Sequence, residues 1–169
     1  ARRLAMLGAG LGVNGLHVVE VSLTGEILDS CIEPIAGGDP SAVLARLAQM
    51  LIEAVMRLRH QGRGLLGIGV GLPGAVDEFS GVLKVAPNLG WREVGVRDQL
   101  VEALSDAGSQ IAIHVHNEAD VAALGEFEDV LGQLEAGVGQ LAAQFVGAAA
   151  QVGGGGRIVE GQPRRQLTV

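Results

Sequence analysis

The chain has almost no aromatic side chains: its 169 residues include no tyrosine, three phenylalanines and a single tryptophan, Trp91. Proteins that bind single-stranded nucleic acid stack the bases on aromatic rings, so this composition argues against that class. Positive charge is also scarce, because Lys84 is the only lysine and 12 basic residues face 19 acidic ones, a formal net charge of −7. A DNA-binding surface needs clustered Lys and Arg to neutralise phosphates. Any contact with DNA is therefore expected from a domain outside this chain.

Cysteines and long hydrophobic runs are nearly absent as well. Cys31 is the only cysteine, which excludes an internal disulfide or a multi-thiolate zinc site within these residues and fits a reducing compartment. We expect Cys31 to be a small core residue. No apolar run reaches the roughly 18 residues of a membrane span. The start, ARRLAMLGAGLG, has the basic head and apolar middle of a signal peptide, but strands follow at once and no cleavage site stands out. We therefore expect a cytoplasmic protein.

The chain does contain alternating strand and helix patterns. Residues 4–35 read as three strands of a meander, with Gly25 in the turn between the second and the third. A helix is predicted from Asp39 as N-cap and Pro40 as the first helical residue to a stop at Gly62. Its apolar residues recur at helical spacing and should cover a sheet face: Leu44, Leu47, Leu51, Val55 and Leu58.

The pattern continues up to residue 132. Residues 65–74 begin as a run that is apolar on both sides of the pleat, which is typical of a strand buried on both faces, and end in a Gly-Pro-Gly bend. An irregular excursion with one short strand at Val82–Val85 leads to a helix over 96–108. A buried strand over 111–117 and a third helix over 118–132 follow. This order predicts an α/β fold with a mixed sheet and helices on both faces.

The pattern weakens after residue 132, where we place a domain boundary. Residues 1–132 form one predicted unit, and residues 133–169 can be read as a hairpin that begins a second unit. The segment GAAAQVGGGG within them is also compatible with a flexible, low-complexity stretch.

Polar residues follow the buried strands where a ligand is expected. In open α/β sheets, ligands bind at the carboxyl ends of the strands. A polyol needs paired donors and acceptors, which one Asn amide supplies, so Asn88 and Asn117 are the expected hydroxyl-binding residues. Gly71 and Gly74 would let the backbone approach the ligand closely. Each Asn also has an alternative role, in a turn for Asn88 and as a helix cap for Asn117, and both roles are compatible with ligand contact.

Three other residues near these stretches have competing interpretations. Trp91 can edge the cleft, but as the only indole it is expected to serve mainly in packing. His114 and His116 lie two apart on a strand and would point the same way, as a metal pair does. No third ligand has a convincing spacing, so we predict no metal site and assign the two histidines to packing or to the surface.

The motifs GIGVGLPGAVD, GVLKVAPNLGW and VHNEADVAALGE occur in this order within about residues 4–130. Together they resemble the ROK family, which unites bacterial sugar kinases and sugar-responsive repressors on the actin-like ATPase (ribonuclease H-like) fold. The resemblance implies that residues up to about 130 form the N-terminal lobe and that the following residues begin the C-terminal lobe. It also implies a sugar ligand, and assembly as a homodimer or homotetramer.

The resemblance favours the repressor branch, of the xylose or N-acetylglucosamine type, over the kinases. Kinases of this family carry an Asp base after the Asn of an NDAN-type motif, whereas Glu118 occupies that position here and projects its carboxylate about one bond farther. We therefore expect Glu118 to bind a sugar hydroxyl with no catalytic role.

The two phosphate loops also depart from the kinase pattern. Kinases of this family begin with an Asp-Gly-Gly-Thr loop, but here Ala9 occupies the apparent Asp position and Asn14 falls near the Thr, leaving no metal-binding carboxylate. Gly10 and Gly12 are the remnants of this loop. The second loop is QVGGGG, which contains Gly153 and Gly154 and has no hydroxyl. Glycines alone are weak evidence of nucleotide binding, so no cofactor is expected within this chain.

The resemblance also implies three segments that do not occur in these 169 residues. They are the Glu-x-x-His segment of the sugar pocket, the Cys-rich zinc motif and the N-terminal helix-turn-helix. The leading hypothesis is the sugar-sensing, effector-binding part of a ROK-type transcriptional regulator. The alternatives are an ATP-dependent, glucokinase-like sugar kinase with a degenerate active site, and a lobe retained for oligomerisation without a ligand.

Overall fold

A computed structural model describes residues 3–12, 15–35 and 37–118 of the chain. Within these ranges eight strands, two α-helices and one short 3₁₀ helix follow one another in this order: β1 (Arg3–Gly12), β2 (Gly15–Ser22), β3 (Ile27–Glu33), α1 (Pro40–His60), β4 (Arg63–Leu72), β5 (Ala75–Asp77), β6 (Val82–Ala86), the 3₁₀ helix (Pro87–Leu89), β7 (Trp91–Gly95), α2 (Val96–Asp106) and β8 (Ile113–Asn117).

Five of the strands form a mixed sheet in the order β3-β2-β1-β4-β8. The meander β1-β2-β3 is antiparallel, whereas β4 lies parallel to β1, and β8 lies parallel to β4. The parallel strands β1, β4 and β8 therefore end at the same edge of the sheet. The mixed sheet predicted from the sequence is confirmed, and its carboxyl edge is where a ligand is expected to bind.

The first helix begins and ends as its sequence predicts. The side chain of Asp39 accepts a hydrogen bond from the backbone N–H of Ala42, and Pro40 is the first helical residue. Gly62 follows the helix with a φ of +68°, a conformation that glycine adopts without strain. All five predicted apolar positions of the helix are buried: Leu44, Leu47, Leu51, Val55 and Leu58.

One core joins both helices to the sheet. Apolar residues of α1 and α2 share it with alternate residues of the central strands, including Leu7, Val18 and Val70. On the other face of β2, Val19 and Val21 are buried in a separate small cluster. The predicted third helix, which would place a helix on that second face, lies outside the described residues from 119 onward, and the hairpin predicted over 133–169 lies outside them as well.

Cys31 is only partly buried, which corrects the expectation that it is a core residue. It lies on β3, which pairs only with β2 among the described residues, so side chains of this strand remain accessible. The thiol still packs against the rim of the main core.

The strands β5, β6 and β7 form a second, antiparallel sheet of three strands. The sequence predicts only the middle strand, β6, whose sequence VLKVA is mostly apolar. The strand β5 has only three residues, and β7, with the sequence WREVG, has charged residues at its centre and no clear alternation. The indole of Trp91 on β7 is 5% exposed, and its N–H donates to the carbonyl oxygen of Gly38 at 3.3 Å. This contact attaches the small sheet to the loop that precedes α1.

Candidate functional site

Gly71 and Glu118 meet at the carboxyl edge of the main sheet. Gly71 lies near the end of β4, and its register partner on β8 is His116, two residues before Glu118. A Cβ atom added to Gly71 would lie 3.6 Å from the Cβ atom of Glu118. Since glycine leaves this space open, the Glu118 side chain begins directly beside the bare backbone of β4.

Asn117 and Gly74 are joined by a hydrogen bond. The amide nitrogen of Asn117, at the end of β8, donates to the carbonyl oxygen of Gly74, immediately before β5. Gly74 has a φ of +144°, and a Cβ atom there would lie 2.3 Å from the carbonyl oxygen of Val85. A side chain is excluded by both the backbone conformation and the space, so Gly74 allows β5, β6 and β8 to converge.

Asn88 follows two residues after Ala86, which lies beside Gly74. The Cα atom of Ala86 would be 2.9 Å from a Cβ atom on Gly74, and the 3₁₀ helix that contains Asn88 begins at the next residue. Asn88 is exposed, in keeping with the turn position that the sequence indicates. Gly90 ends this turn in the left-handed conformation. The structure thus brings four of the predicted residues together at one end of the sheet, and Asn88 follows two residues after Ala86. The four residues are Gly71, Gly74, Asn117 and Glu118.

The carboxyl group of Glu118 is partly withdrawn from water. Burial raises its pKa above the usual value for a glutamate, because a desolvated carboxylate is less stable than a protonated carboxyl group. A carboxyl group in such a place gains stability when a ligand hydroxyl donates to it. The electrostatics therefore fit a hydroxyl-binding role.

His116 and His114 differ in their surroundings, although they lie two apart on β8. The Nδ1 atom of His116 lies 2.9 Å from Oε1 of Glu78, in the turn between β5 and β6, whereas His114 is exposed. Nowhere in residues 3–12, 15–35 and 37–118 do three or more His, Cys, Asp or Glu side chains gather closely enough to hold a metal ion.

The imidazole of His17 lies against Gly10, which belongs to the first phosphate-loop remnant. Gly10 on β1 pairs with His17 on β2 and with Gly71 on β4. A Cβ atom on Gly10 would lie 2.0 Å from Nε2 of His17, so the imidazole occupies the space that a side chain at this position would need. Burial lowers the pKa of His17, which favours the neutral ring. Gly12 pairs with Gly15 across the end of this hairpin.

Other predicted loop residues lie outside the described part of the chain. These are Asn14 of the first loop and Gly153 and Gly154 of the second. Trp91, which the sequence allows at the cleft edge, is confirmed as a packing residue by its burial.

Sequence reasoning missed Glu78 and His17. Glu78 reaches its partner across the fold, so no local pattern identifies it. The side chain of His17 alternates with core valines along β2, which makes it look like an ordinary strand residue. Its pairing with Gly10 could have been found only by aligning β1 with β2 in the correct register.

A surface groove of about 390 Å³ lies at the other end of the sheet. It is bounded by the end of α1 and the start of β4, with Leu58, Arg63 and Ile111 among its lining residues. It is therefore separate from the predicted sugar-binding residues.

Neither helix in the described ranges is long and apolar enough to cross a membrane.

Comparison with proteins of known sequence identifies repressors and kinases. A xylose repressor of Caldicellulosiruptor bescii is 32% identical over 72% of this chain, and the match covers 30% of the repressor. A glucokinase of Halalkalibacterium halodurans is 28% identical over 71% of this chain and is matched over 35% of its own length. The chain thus spans about a third of these relatives.

Solved structures of the same fold include a regulator and a kinase. A ROK transcriptional regulator, described as a homologue of the E. coli MLC protein, superposes with a TM-score of 0.64 and 24% identity, covering 73% of this chain and 30% of the regulator. A ROK glucokinase from Streptomyces griseus, solved with glucose and AMPPNP, gives a TM-score of 0.55 and 24% identity over 73% of this chain and 36% of the kinase. These matches confirm the actin-like ATPase fold.

The ROK family model matches residues 10–162, which is most of the chain. The three motifs that suggest the resemblance lie within the matched range, and the curated relatives and solved structures agree with it. The chain belongs to the ROK family.

Proposed function

We propose that this chain is the sugar-sensing, effector-binding part of a ROK-type transcriptional regulator. The observation that carries the proposal is the meeting of Asn117 and Glu118 with Gly74 and Gly71 at one end of the main sheet. Amide and carboxyl groups that lie together supply the donors and acceptors that a polyhydroxylated ligand needs. Relatives named xylose repressor support the regulatory side of the proposal.

The residues of the site have distinct roles in this proposal. The bond from Asn117 to the Gly74 carbonyl fixes the amide before a ligand arrives, which reduces the entropy lost on binding. Glu118 accepts a hydrogen bond from a sugar hydroxyl, and Asn88 closes the site from the small sheet. Binding would favour a closed arrangement of the two lobes, and that preference would be transmitted to a DNA-binding domain outside this chain.

Direct titration with sugars tests the site. D-Xylose and D-glucose are suitable probes, because relatives are named for xylose and one solved neighbour holds glucose. We expect binding by isothermal titration calorimetry, and an affinity loss of about tenfold or more in Asn117→Ala and in Glu118→Gln, since each removes a hydrogen bond to the ligand. His114→Ala, an exposed change on the same strand, is the matched control. Unchanged affinity in both site variants would refute the assignment.

A sugar kinase is the second candidate, and the relatives named glucokinase favour it. Phosphoryl transfer requires metal-bound phosphates and a correctly placed base. At the first phosphate-loop remnant, Ala9 in the apparent Asp position has no carboxylate, and His17 fills the space beside Gly10. We therefore expect no transfer of phosphate from Mg·ATP to D-glucose or D-xylose in a coupled assay. Measurable turnover that disappears in Glu118→Gln would establish the kinase.

Assembly as a homodimer or homotetramer is part of the proposal, and light scattering coupled to size-exclusion chromatography tests it. A stable dimer that gives no calorimetric response to any sugar would instead support a lobe retained for oligomerisation.

A further inference from the structure

The helix α2 has an exposed apolar residue at the centre of its outer surface. The helix buries Val96, Leu100 and Leu104 against the core, whereas Val101, in the middle of its 11 residues, is 40% exposed. A single exposed apolar residue is common on protein surfaces and needs no partner. Val101, however, lies between two other apolar features, one at each end of the helix.

An ordered turn holds an exposed phenylalanine ring beside the first turn of α2. Phe79 is 94% exposed, although both its backbone N–H and its carbonyl oxygen are hydrogen-bonded. The side chain of Asp77 accepts from the N–H groups of Phe79 and Ser80, and Arg97 of α2 donates to the Phe79 carbonyl oxygen at 2.9 Å. Because the turn is already ordered, little backbone entropy is lost when the ring enters a pocket of a partner.

A hollow lies beside the last turns of α2. Its volume is about 370 Å³, and it is lined by Val101, Leu104, Ser105 and residues 109–112. An apolar cavity of roughly 150 Å³ accommodates benzene, so this α2 hollow has room for a phenylalanine ring. Arg97, Val101 and Ser105 are spaced by four residues and share one stripe of the helix, about 12 Å long. The exposed ring and the hollow therefore lie at opposite ends of the same stripe.

This arrangement is complementary to a second copy of itself. When two α2 helices pack antiparallel with their Val101 side chains in contact, the first turn of each helix lies beside the last turn of the other. Phe79 of each copy then lies next to the α2 hollow of the other copy. The same arrangement brings the guanidinium of Arg97 opposite the carboxylate of Asp106 in the last turn, so the charges are complementary as well. Such a contact uses the same patch on both copies and closes after two.

We propose that α2 is a homodimer interface in which Phe79 of each copy fills the α2 hollow of the other. This interface depends on the self-assembly that forms part of the proposed function, but not on the sugar site. One helix pair and two rings bury less area than a standard interface of about 1,600 Å². We therefore expect a dimer with a dissociation constant of about 1–100 µM.

Sedimentation velocity over a range of protein concentrations tests the interface. Val101→Glu should weaken dimerisation at least tenfold, because it places two carboxylates at the two-fold axis while glutamate keeps a good helix propensity. Phe79→Ser, in an exposed turn, should weaken dimerisation about three- to tenfold. Ile32→Glu is the matched control, since Ile32 is 50% exposed on β3, at the opposite edge of the sheet from β8, against which α2 packs. Circular dichroism checks that each variant keeps its fold.

Two further variants test the antiparallel, two-fold arrangement. In a Cys31→Ser background, Val101→Cys should form a disulfide between two copies on mild oxidation, and Ile32→Cys should not. Asp106→Arg should weaken dimerisation several-fold, because it places like charges opposite Arg97 of the second copy.

The outcomes separate this interface from the other parts of the proposed function. A dimer that Val101→Glu and Phe79→Ser leave intact would overturn the interface while retaining the assembly, and its loss in Ile32→Glu would indicate pairing through β3 instead. A chain that remains monomeric at millimolar concentration would reject the interface together with the proposed assembly. In either case, calorimetric titration with D-xylose and D-glucose still decides the sugar site.

Discussion

Gly74 has the most restrictive backbone environment in the candidate site. Its φ of +144° suits glycine, and a Cβ atom would lie 2.3 Å from the Val85 carbonyl oxygen. Gly90 is a matched comparison, since its φ is +68° and nothing lies within 4 Å of the added atom. The two glycines separate the effect of backbone conformation from that of a steric clash.

Gly74→Ala should therefore destabilise the fold more than Gly90→Ala. We expect a loss of about 1–2 kcal/mol of unfolding free energy for Gly90→Ala, from the left-handed backbone alone. We expect about 3 kcal/mol or more for Gly74→Ala, where the clash is added to the strain. Urea unfolding followed by Trp91 fluorescence measures both. Equal losses of unfolding free energy would show that the backbone near Gly74 and Val85 shifts enough to accommodate the added Cβ atom.

Glu118→Gln should change stability in a pH-dependent way. Burial raises the pKa of Glu118, so the folded state binds a proton more readily than the unfolded state does. Stability from this group is present below the usual pKa of a glutamate and is lost as pH rises through the raised pKa. The substitution should thus increase the melting temperature near pH 7 and leave it nearly unchanged near pH 4. Glu102→Gln, on the exposed surface of α2, is the control and should show no such difference.

The sequence identifies residues whose roles follow from local position. Asn117 is predicted because it ends a buried strand, and Gly71 and Gly74 because they surround the bend after another. Glu78 is not predicted, because its partner His116 is 38 residues away and only the folded sheet brings the two together. Charged residues in turns are usually solvated, so a turn glutamate gives no signal of its own.

At the scale of elements, α1 is attached to the sheet by an ion pair with a buried acid. Arg57 donates to Oε1 of Glu20 on β2 at 2.9 Å, with the Glu20 side chain 1% exposed and the Arg57 side chain 40% exposed. The Oε2 atom of Glu20 is buried and has no hydrogen-bond partner among the described residues. Burial raises the pKa of Glu20 while Arg57 opposes the increase. Arg57 is therefore the main support for this carboxylate.

Arg57→Ala should cost about 2 kcal/mol of unfolding free energy near pH 7. Removing one partner leaves an uncompensated buried charge, and we take a value below the usual range because Arg57 is partly solvated. The loss should shrink as pH falls, since Glu20 becomes protonated and no longer needs the guanidinium. Arg59→Ala, in the same turn of α1 and exposed, should cost less than about 1 kcal/mol. A loss that is independent of pH would assign the effect to packing of the Arg57 stem.

The elements predicted best are those that combine several signals. The helix α1 has a cap, a proline at its first position, a stripe of leucines and a glycine stop, and all of these agree. The strands β5 and β7 are not predicted, because β5 has three residues, β7 has no clear apolar pattern, and both are stabilised by pairing with β6. Their existence depends on long-range packing, which includes burial of Trp91.

At the scale of the whole molecule, the second face of the main sheet is the place to test the proposed boundary of the N-terminal lobe. Val19 and Val21 are buried there beside Met6, on the side of β2 away from the core that contains α1 and α2. No helix among the described residues lies on that face. The sequence pattern of residues 118–132 predicts the helix that would cover it, and we propose that the boundary of the lobe follows this segment.

Two truncations test that boundary. A chain ending at Gly132 should unfold at the same urea concentration as the whole chain when Trp91 fluorescence is followed, because residues 133–169 would belong to another unit. A chain ending at Asn117 loses the predicted helix and exposes Val19, Val21 and Met6, so its unfolding free energy should fall by about 3 kcal/mol or more. Equal stability of the two truncated chains would show that residues 118–132 do not cover the second face. Destabilisation of the Gly132 truncation would place residues beyond 132 within the same cooperative unit as β1–β8.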